Sequence, residues 1–212
     1  MNENAPSVVM LDQTLRSRGH MSDMGRHMAT TVRVTPTGQE RSFDSRELIV
    51  SKTDPKGIIT YANQTFLNIS HYGREAIIGQ PHNIIRHPQM PRGLFSLLWD
   101  TIATGEEVFA YINNLAADGA NYWVLAHVTA TFDPKGRIVG YHSNRRRPAR
   151  APIEAVTPLY ERMLAAEARH NRAVDAARAG RDTLLTHLQE RETTYDRFIW
   201  NLINDHSLAG HR

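Results

Sequence analysis

The sequence of 212 residues contains no cysteine. This excludes disulfide bonds, thiolate metal sites and a cysteine nucleophile. There is also no apolar run near the roughly 18 to 20 residues that a membrane-spanning helix requires, and no apolar signal core at the start. The formal net charge of +3 is small, and many basic residues alternate with acidic ones, which argues against a nucleic-acid partner. These absences predict a soluble cytoplasmic protein without a membrane span.

Patterns that mark catalytic sites are missing as well. The sequence has no nucleophile elbow, no phosphate-binding glycine loop and no acid pair with catalytic spacing. The 11 histidines raise the question of a metal site, but none forms a convincing ligand pair with an acid. The sequence therefore predicts neither an enzyme nor a metal site.

Composition divides the chain into three parts. Residues 1–45 have no sustained periodicity and are predicted to form a flexible tail. Residues 46–147 carry strand and helix patterns over a length typical of one domain. Residues 148–212 are rich in Ala, Glu, Arg and Leu, which predicts helices. The arginines at 145–150 are predicted to be a solvated linker between the last two parts rather than a surface for nucleic acid.

The middle part has the pattern of a mixed α+β domain. The tetrapeptide Asp-Pro-Lys-Gly occurs at 54–57 and again at 133–136, each time between β-branched segments, which predicts two hairpins. Asn63 is predicted to cap a short helix at 64–70, and apolar residues at helical spacing predict a longer helix at 94–102. Two strands, short helices and three further strands predict a five-stranded antiparallel sheet with short helices on one face.

The last part carries two apolar stripes at helical spacing. The first runs from Val156 to Val174 and the second from Leu184 to Leu188, and Gly180 is predicted to separate two helices. This predicts a helical hairpin or a coiled coil. The stripes favour a dimer, but a hairpin within one chain would bury the same residues.

The loop at residues 79–91 contains three prolines, two histidines and one arginine. The prolines leave room for only a short helical turn. Arg86 and His87 are neighbours in this loop. A fixed cation and a titratable ring beside an apolar wall suit an anionic or aromatic ligand. The structural alternative is an arginine that caps helix-end carbonyls, with a satisfied histidine beside it.

An ordered series of short motifs surrounds this loop between about residues 48 and 145. The series consists of Asn63-Gln64-Thr65-Phe66, Gly79-Gln80-Pro81-His82-Asn83, Arg86-His87-Pro88, Met90-Pro91, Leu98-Trp99, Asn121-Tyr122-Trp123-Val124 and Gly140-Tyr141. It resembles the PAS domain of bacterial aerotaxis receptors, a family whose PAS module binds FAD. The resemblance implies a PAS fold and a redox or oxygen sensor that holds FAD without a covalent bond. It also implies C-terminal helices that signal as a homodimer to a chemoreceptor, a histidine kinase or another signalling protein.

In that family the Arg-His pair belongs to the flavin site, which assigns Arg86 and His87 to the cofactor. The other residues predicted to border the cofactor are Asn63, Gln89, Trp99, Phe109, Asn114 and Tyr122. Gln89 stands where the family commonly has an acid, and Phe109 stands where it commonly has tryptophan. These departures leave open a ligand-free PAS scaffold for dimerisation and docking. A haem-binding gas sensor that uses His82 or His87 also stays open, because some other PAS domains bind haem through histidine.

Some of these side chains also have a structural interpretation. Asn63 is first a helix cap, and Trp99 lies on the apolar stripe of its helix, which favours packing in the core. Tyr122 and Trp123 are neighbours on a strand and must point to opposite faces of the sheet, so at most one of them faces the ligand.

Overall fold

The strands form one antiparallel sheet in a computed structural model that describes residues 34–207. They are β1 (Ile49–Thr53), β2 (Ile59–Ala62), β3 (Val108–Leu115), β4 (Asn121–Phe132) and β5 (Ile138–Arg146). Their order across the sheet is β2-β1-β5-β4-β3, and all neighbouring strands run antiparallel. The predicted α+β fold with a five-stranded antiparallel sheet is confirmed.

Short helices connect β2 to β3. They are α1 (Gln64–Ser70), α2 (Arg74–Ile77), a 3₁₀ turn (His82–Ile85) and α3 (Arg92–Ala103). The first helix begins as predicted, because the side-chain oxygen of Asn63 accepts a hydrogen bond of 3.0 Å from the Phe66 amide. The chain turns after α2 at Gly79, where φ is 83°. Glycine adopts this left-handed conformation without the strain that a side chain would cause.

One face of the sheet, called the inner face here, lies against these short helices. Residues directly opposite each other on paired strands share a face. The register pairs Asn114 with Tyr122 and Ala126 with Arg145, and all four are buried. The guanidinium of Arg145 lies over the ring of Phe66 in α1, 5.1 Å from its centroid. Polar side chains are therefore enclosed between the sheet and α1.

Three further helices follow the sheet: α4 (Arg150–Glu167), α5 (Ala173–Glu190) and α6 (Tyr195–Ser207). α4 and α5 pack on each other as a hairpin, and α5 also packs along α3. The predicted C-terminal helical region is confirmed, and its apolar stripes are buried largely within one chain at Val156, Leu159, Met163, Leu184 and Leu188. The homodimer stays a prediction.

α4 and α6 cover the outer face of β3 and β4. The ring of Trp123 stacks on Tyr160 of α4 at 6.4 Å, whereas its neighbour Tyr122 is fully buried on the inner face. The prediction that these two neighbours point to opposite faces is confirmed. Phe109 stacks on His127 at 4.2 Å and contacts Trp200 of α6 at 5.1 Å.

The prediction that Gly180 separates two helices is wrong. The boundary lies at 168–172, and Gly180 is a buried residue inside α5. A Cβ atom at this position would collide with the side chain of Glu167. The glycine therefore permits close packing and does not end a helix. Val174 and Leu185, predicted to lie on the apolar stripes, are 52% and 44% exposed.

Residues 34–45 differ from the flexible tail predicted for residues 1–45. The Thr37 amide donates to Gly119 O at 2.8 Å, and the Arg41 amide donates to Asn121 O at 2.7 Å. Phe43 is buried in the core. Backbone pairing with the β3–β4 turn holds this segment, and composition does not reveal such pairing. The rest of the predicted tail, residues 1–33, lies outside the described residues.

Candidate ligand site on the inner face of the sheet

Arg145 lies at the centre of the polar residues on the inner face. It is 2% exposed, and its Nη2 donates to Ser51 Oγ and to His82 Nε2, each at 2.5 Å. Its Nη1 has no hydrogen-bond partner within the described part of the chain. Burial lowers the pKa of Arg145 to about 10, so the side chain remains charged at neutral pH. The prediction that residues 145–150 form a solvated linker is thus wrong for its first residue.

The position of Arg145 follows from the length of β5. This strand continues beyond Tyr141 to Arg146, and its alternation places Tyr141, Ser143 and Arg145 on one face. All three are buried, whereas Arg146 is exposed. β1 pairs with this end of the strand, with Ile49 opposite Arg145. The arginine is therefore held on a rigid strand in the middle of the sheet.

His82 is the neutral partner of this cation. A guanidinium can only donate, so the Nε2 atom that faces Arg145 must be an unprotonated acceptor, and the ring proton resides on Nδ1. Burial, together with the charge of Arg145, holds the pKa of His82 well below its usual range. The ring also stacks parallel to Phe66, with 6.2 Å between centroids. His82 therefore adds no positive charge to the site.

Several other buried polar atoms on the inner face lack a partner within the described residues. They are Asn114 Nδ2, Tyr122 OH, Ser143 Oγ and Thr53 Oγ1. Asn114 lies directly opposite Tyr122 in the register of β3 and β4, and Ser143 is opposite Ser51. A buried polar group without a partner costs about 1 to 3 kcal/mol. Such a concentration of unpaired groups requires an explanation, and a polar ligand that bonds to them would supply one.

These unpaired groups are mainly donors. The guanidinium and amide nitrogens can only donate, and burial raises the pKa of Tyr122, which keeps its phenol protonated and able to donate. The arrangement therefore suits a ligand rich in acceptor oxygens and nitrogens, or one that carries negative charge. Phe66 and the His82 ring supply flat apolar surface next to these donors.

Arg86 and His87 lie in the loop beside this site, with side chains engaged in local contacts. Arg86 Nη2 donates to Met90 O at 2.8 Å, and its guanidinium lies 4.4 Å from the centroid of Phe95 in α3. Burial lowers the pKa of Arg86 to about 10. His87 is buried, and its Nδ1 accepts a hydrogen bond of 3.2 Å from the Gln89 amide. The backbone of Arg86 bridges to Asn114, which brings this loop to the edge of the inner face.

The other residues predicted for the cofactor site include two whose side chains are engaged in structural contacts. The side chain of Asn63 is occupied by backbone partners, since its oxygen accepts from the amides of Val50 and Phe66 and its nitrogen donates to Leu48 O. Trp99 packs edge-on against Tyr141 at 5.5 Å.

Among the predicted residues, Asn114 and Tyr122 contribute unpaired polar atoms to the inner face. Gln89 is exposed. Phe109 lies on the outer face beneath α6, so it is not part of the inner-face cluster.

Two further features concern residues 34–207. Within that range, no group of three His, Asp or Glu side chains is placed to hold a metal ion. None of the helices described has both the length and the apolar character needed to cross a bilayer.

Comparisons with known proteins agree with this architecture. Residues 49–143 match the family model described as PAS fold. The aerotaxis receptor of Escherichia coli K12 is 36% identical over 138 residues, which is 65% of this chain and 26% of that protein. The nitrogen fixation regulatory protein of Klebsiella pneumoniae is 26% identical over 103 residues, 49% of this chain and 21% of that protein.

Among solved structures, the dark structure of the blue-light photoreceptor Aureochrome1 LOV is 24% identical with a TM-score of 0.47. The match covers 52% of this chain and 82% of the solved one. The chain spans about a quarter of the length of the curated relatives named above. Because residues 49–143 match the PAS fold family, the chain contains a PAS domain. This domain is related in sequence to that of bacterial aerotaxis receptors.

Proposed function

We propose that this chain is a redox or oxygen sensor whose PAS domain holds FAD non-covalently on the inner face of the sheet. The observation that carries the proposal is the buried Arg145, which has a free Nη1 and lies among further unpaired donors. FAD would supply a redox centre whose charge and protonation change on reduction. Its ring system presents carbonyl oxygens and ring nitrogens, which are the acceptors that this set of donors lacks.

The chain's own residues would perform two tasks at this site. Asn114, Tyr122 and Ser143 would orient the ligand through hydrogen bonds, because each has a polar atom without a partner. Arg145 would stabilise negative charge on the ligand, since a buried cation acts strongly where water is excluded. Phe66, which is fully buried, would contact the flat surface of a ring.

A physical route leads from this site to the C-terminal helices. The backbone of Arg86 bridges to Asn114. The Arg86 side chain contacts Met90, which lies just before α3, and Phe95, which lies in the first turns of α3. The amide of Gly93 in α3 donates at 2.9 Å to Glu167 of α4. A change in the hydrogen bonds of Asn114 would alter this chain of contacts and shift the position of α4. The proposed recipient is a chemoreceptor, a histidine kinase or a second copy of this chain.

The first test is the visible absorption spectrum of the purified protein before and after reduction. We expect a flavin band that bleaches on reduction, and release of FAD on denaturation. A haem Soret band would instead indicate gas sensing. A featureless spectrum, together with no binding of added FAD, would contradict the proposal.

A pair of variants locates the ligand. Arg145→Met removes the donors but keeps an unbranched apolar side chain, and we expect at least about a tenfold loss of FAD affinity. Arg146→Met is the matched control, because Arg146 is the next residue but is exposed. Equal FAD content in both variants would place the flavin elsewhere. Arg86→Ala tests the assignment made by resemblance, and full retention of flavin would remove Arg86 from the site.

A second function is favoured by one observation, namely that the inner face is already tightly packed. Arg145 has two protein partners, and Phe66 and Tyr122 are both fully buried. A PAS domain filled by its own side chains would act as a scaffold for dimerisation and docking. This alternative predicts no FAD binding, and an oligomeric state in light scattering that does not respond to Arg145→Met.

A further inference from the structure

A cavity lies between the three C-terminal helices, away from the inner face of the sheet. It has a volume of about 420 Å³. Its apolar wall includes Leu159 of α4 and both Phe198 and Leu202 of α6. The cavity is also lined by three basic side chains, which are Arg162 of α4, His187 of α5 and Arg191 directly after α5. We call this cavity the basic groove. Its volume falls within the range of small-molecule pockets, about 300 to 1,000 Å³.

The polar end of the basic groove has an excess of donors. Arg162 Nη2 lies 2.7 Å from His187 Nδ1, and Arg191 Nε donates to His187 Nε2 at 3.0 Å. A neutral imidazole has only one acceptor nitrogen, and a guanidinium has none. One of these two contacts therefore brings two N–H groups face to face. An anion placed between the groups would accept from both sides and remove this conflict.

Among the side chains that the structure describes, those of residues 34–204, no carboxylate is paired with this cluster. Within residues 34–204, neither Arg162 nor Arg191 belongs to an ion pair. His187 is 7% exposed and is held in place by the edge of the Phe198 ring, 5.7 Å away. Glu190 is the acid whose charge acts on His187, and its effect is smaller than those of burial and the two arginines. Two cations and a buried imidazole therefore converge beside an apolar wall.

We propose that the basic groove binds an organic carboxylate with an apolar chain, of the medium-chain fatty acid type. The carboxylate would lie between Arg162 and Arg191, where guanidinium groups bind carboxylates with two parallel hydrogen bonds. The chain would contact Leu159, Phe198 and Leu202. Because these residues come from α4, the C-terminal end of α5 and α6, the bound molecule would fasten α6 to the α4–α5 hairpin. This site is independent of the flavin site proposed above.

Calorimetric titration of the whole protein tests the proposal with three probes. Octanoate, kept below the concentration at which it forms micelles, is expected to bind. Acetate carries the charge without the chain, and 1-octanol carries the chain without the charge; both are expected to bind at least about tenfold more weakly. Equal binding of octanoate and 1-octanol would refute the ionic half of the proposal, and equal binding of acetate would refute the apolar half.

Variants place the probe in the groove. Arg162→Met combined with Arg191→Met is expected to weaken octanoate binding at least about tenfold. The control is Arg178→Met, because Arg178 is an exposed residue of α5 that does not line the groove. Arg162, Arg191 and Arg178 are all exposed, so the variants are expected to fold, which circular dichroism checks. Unchanged affinity in the double variant, or binding of an acidic peptide in preference to octanoate, would overturn the proposal.

Discussion

Glu167 Oε1, near the end of α4, accepts a hydrogen bond of 2.9 Å from the backbone amide of Gly93 in the first turn of α3. Its other oxygen accepts from the Arg92 amide, also at 2.9 Å. The residue before α3 is Pro91, which makes no side-chain cap. A helix start leaves several amides without partners, so a buried carboxylate from a different part of the chain performs the capping. This contact joins the PAS domain to the C-terminal helices.

Replacing Glu167 with Ala is expected to lower the free energy of unfolding by about 1 to 3 kcal/mol, because the buried amide of Gly93 and the partly buried amide of Arg92 lose their acceptor. Urea unfolding measures this loss, and hydrogen exchange should become faster at the amides of Arg92 and Gly93. The matched control is Glu161→Ala, an exposed residue of the same helix. An equal effect of both variants would mean that the cap does not stabilise the fold.

Gly93→Ala tests how closely α3 and α5 approach. A Cβ atom on Gly93 would collide with the backbone of Gly180 and Arg181. In an exposed helix Ala is more favourable than Gly by about 1 kcal/mol, whereas overpacking here is expected to cost about 1 to 3 kcal/mol. The sign of the change in unfolding free energy therefore shows whether the collision between helices outweighs the higher helix propensity of Ala. Gly73→Ala is the control, since nothing lies within 4 Å of its added Cβ, and its effect should stay below about 1 kcal/mol.

The parts of the fold that depend on local chemistry could be predicted from the sequence. The turns at 54–57 and 133–136 lie where proline and glycine preset the backbone, with Gly57 and Gly136 at φ of 78° and 75°. The cap by Asn63 was predictable for the same reason, because its partner, Phe66, is three residues away. Such signals need only neighbouring residues.

The contacts that could not be predicted join residues that are distant in sequence. Glycine commonly ends a helix, which predicts a break at Gly180, but the role of Gly180 depends on Glu167 and Gly93. The arginines at 145–150 predict a solvated linker, although the alternation from Tyr141 onward is a signal that places Arg145 on the inner face. Local sequence does not show that β1 pairs with this end of β5 and thereby buries a cation.

Arg145→Met should separate function from stability. Because a buried charge without an acidic partner is unfavourable, we expect the free energy of unfolding without ligand to stay unchanged or to rise by about 1 to 4 kcal/mol. Ser51 and His82 can then bond to each other, since their polar atoms are already 3.3 Å apart. Affinity for FAD should fall in the same variant. A clear loss of stability in urea unfolding would assign Arg145 a structural role instead.

His82 should make the stability of the protein depend on pH. Its folded-state pKa lies well below the ordinary value of 6.5 because of burial and the charge of Arg145. A lowered histidine pKa means that the unfolded chain binds the proton more readily, so the stabilisation is complete above about pH 6.5 and is lost as pH falls. At pH 5.5 this one group should cost about 1.4 kcal/mol relative to pH 8. His87, His142 and His187 also have lowered pKa values, and burial is the largest cause for each.

The test therefore compares His82→Gln with the original protein by urea unfolding at both pH values. Glutamine keeps an acceptor for Arg145 but does not titrate, so the variant should lose less stability on acidification. An identical loss in both proteins would show that folded His82 takes up a proton at pH 5.5 as readily as in the unfolded chain. That result would contradict a hydrogen bond from Arg145 that keeps its Nε2 unprotonated.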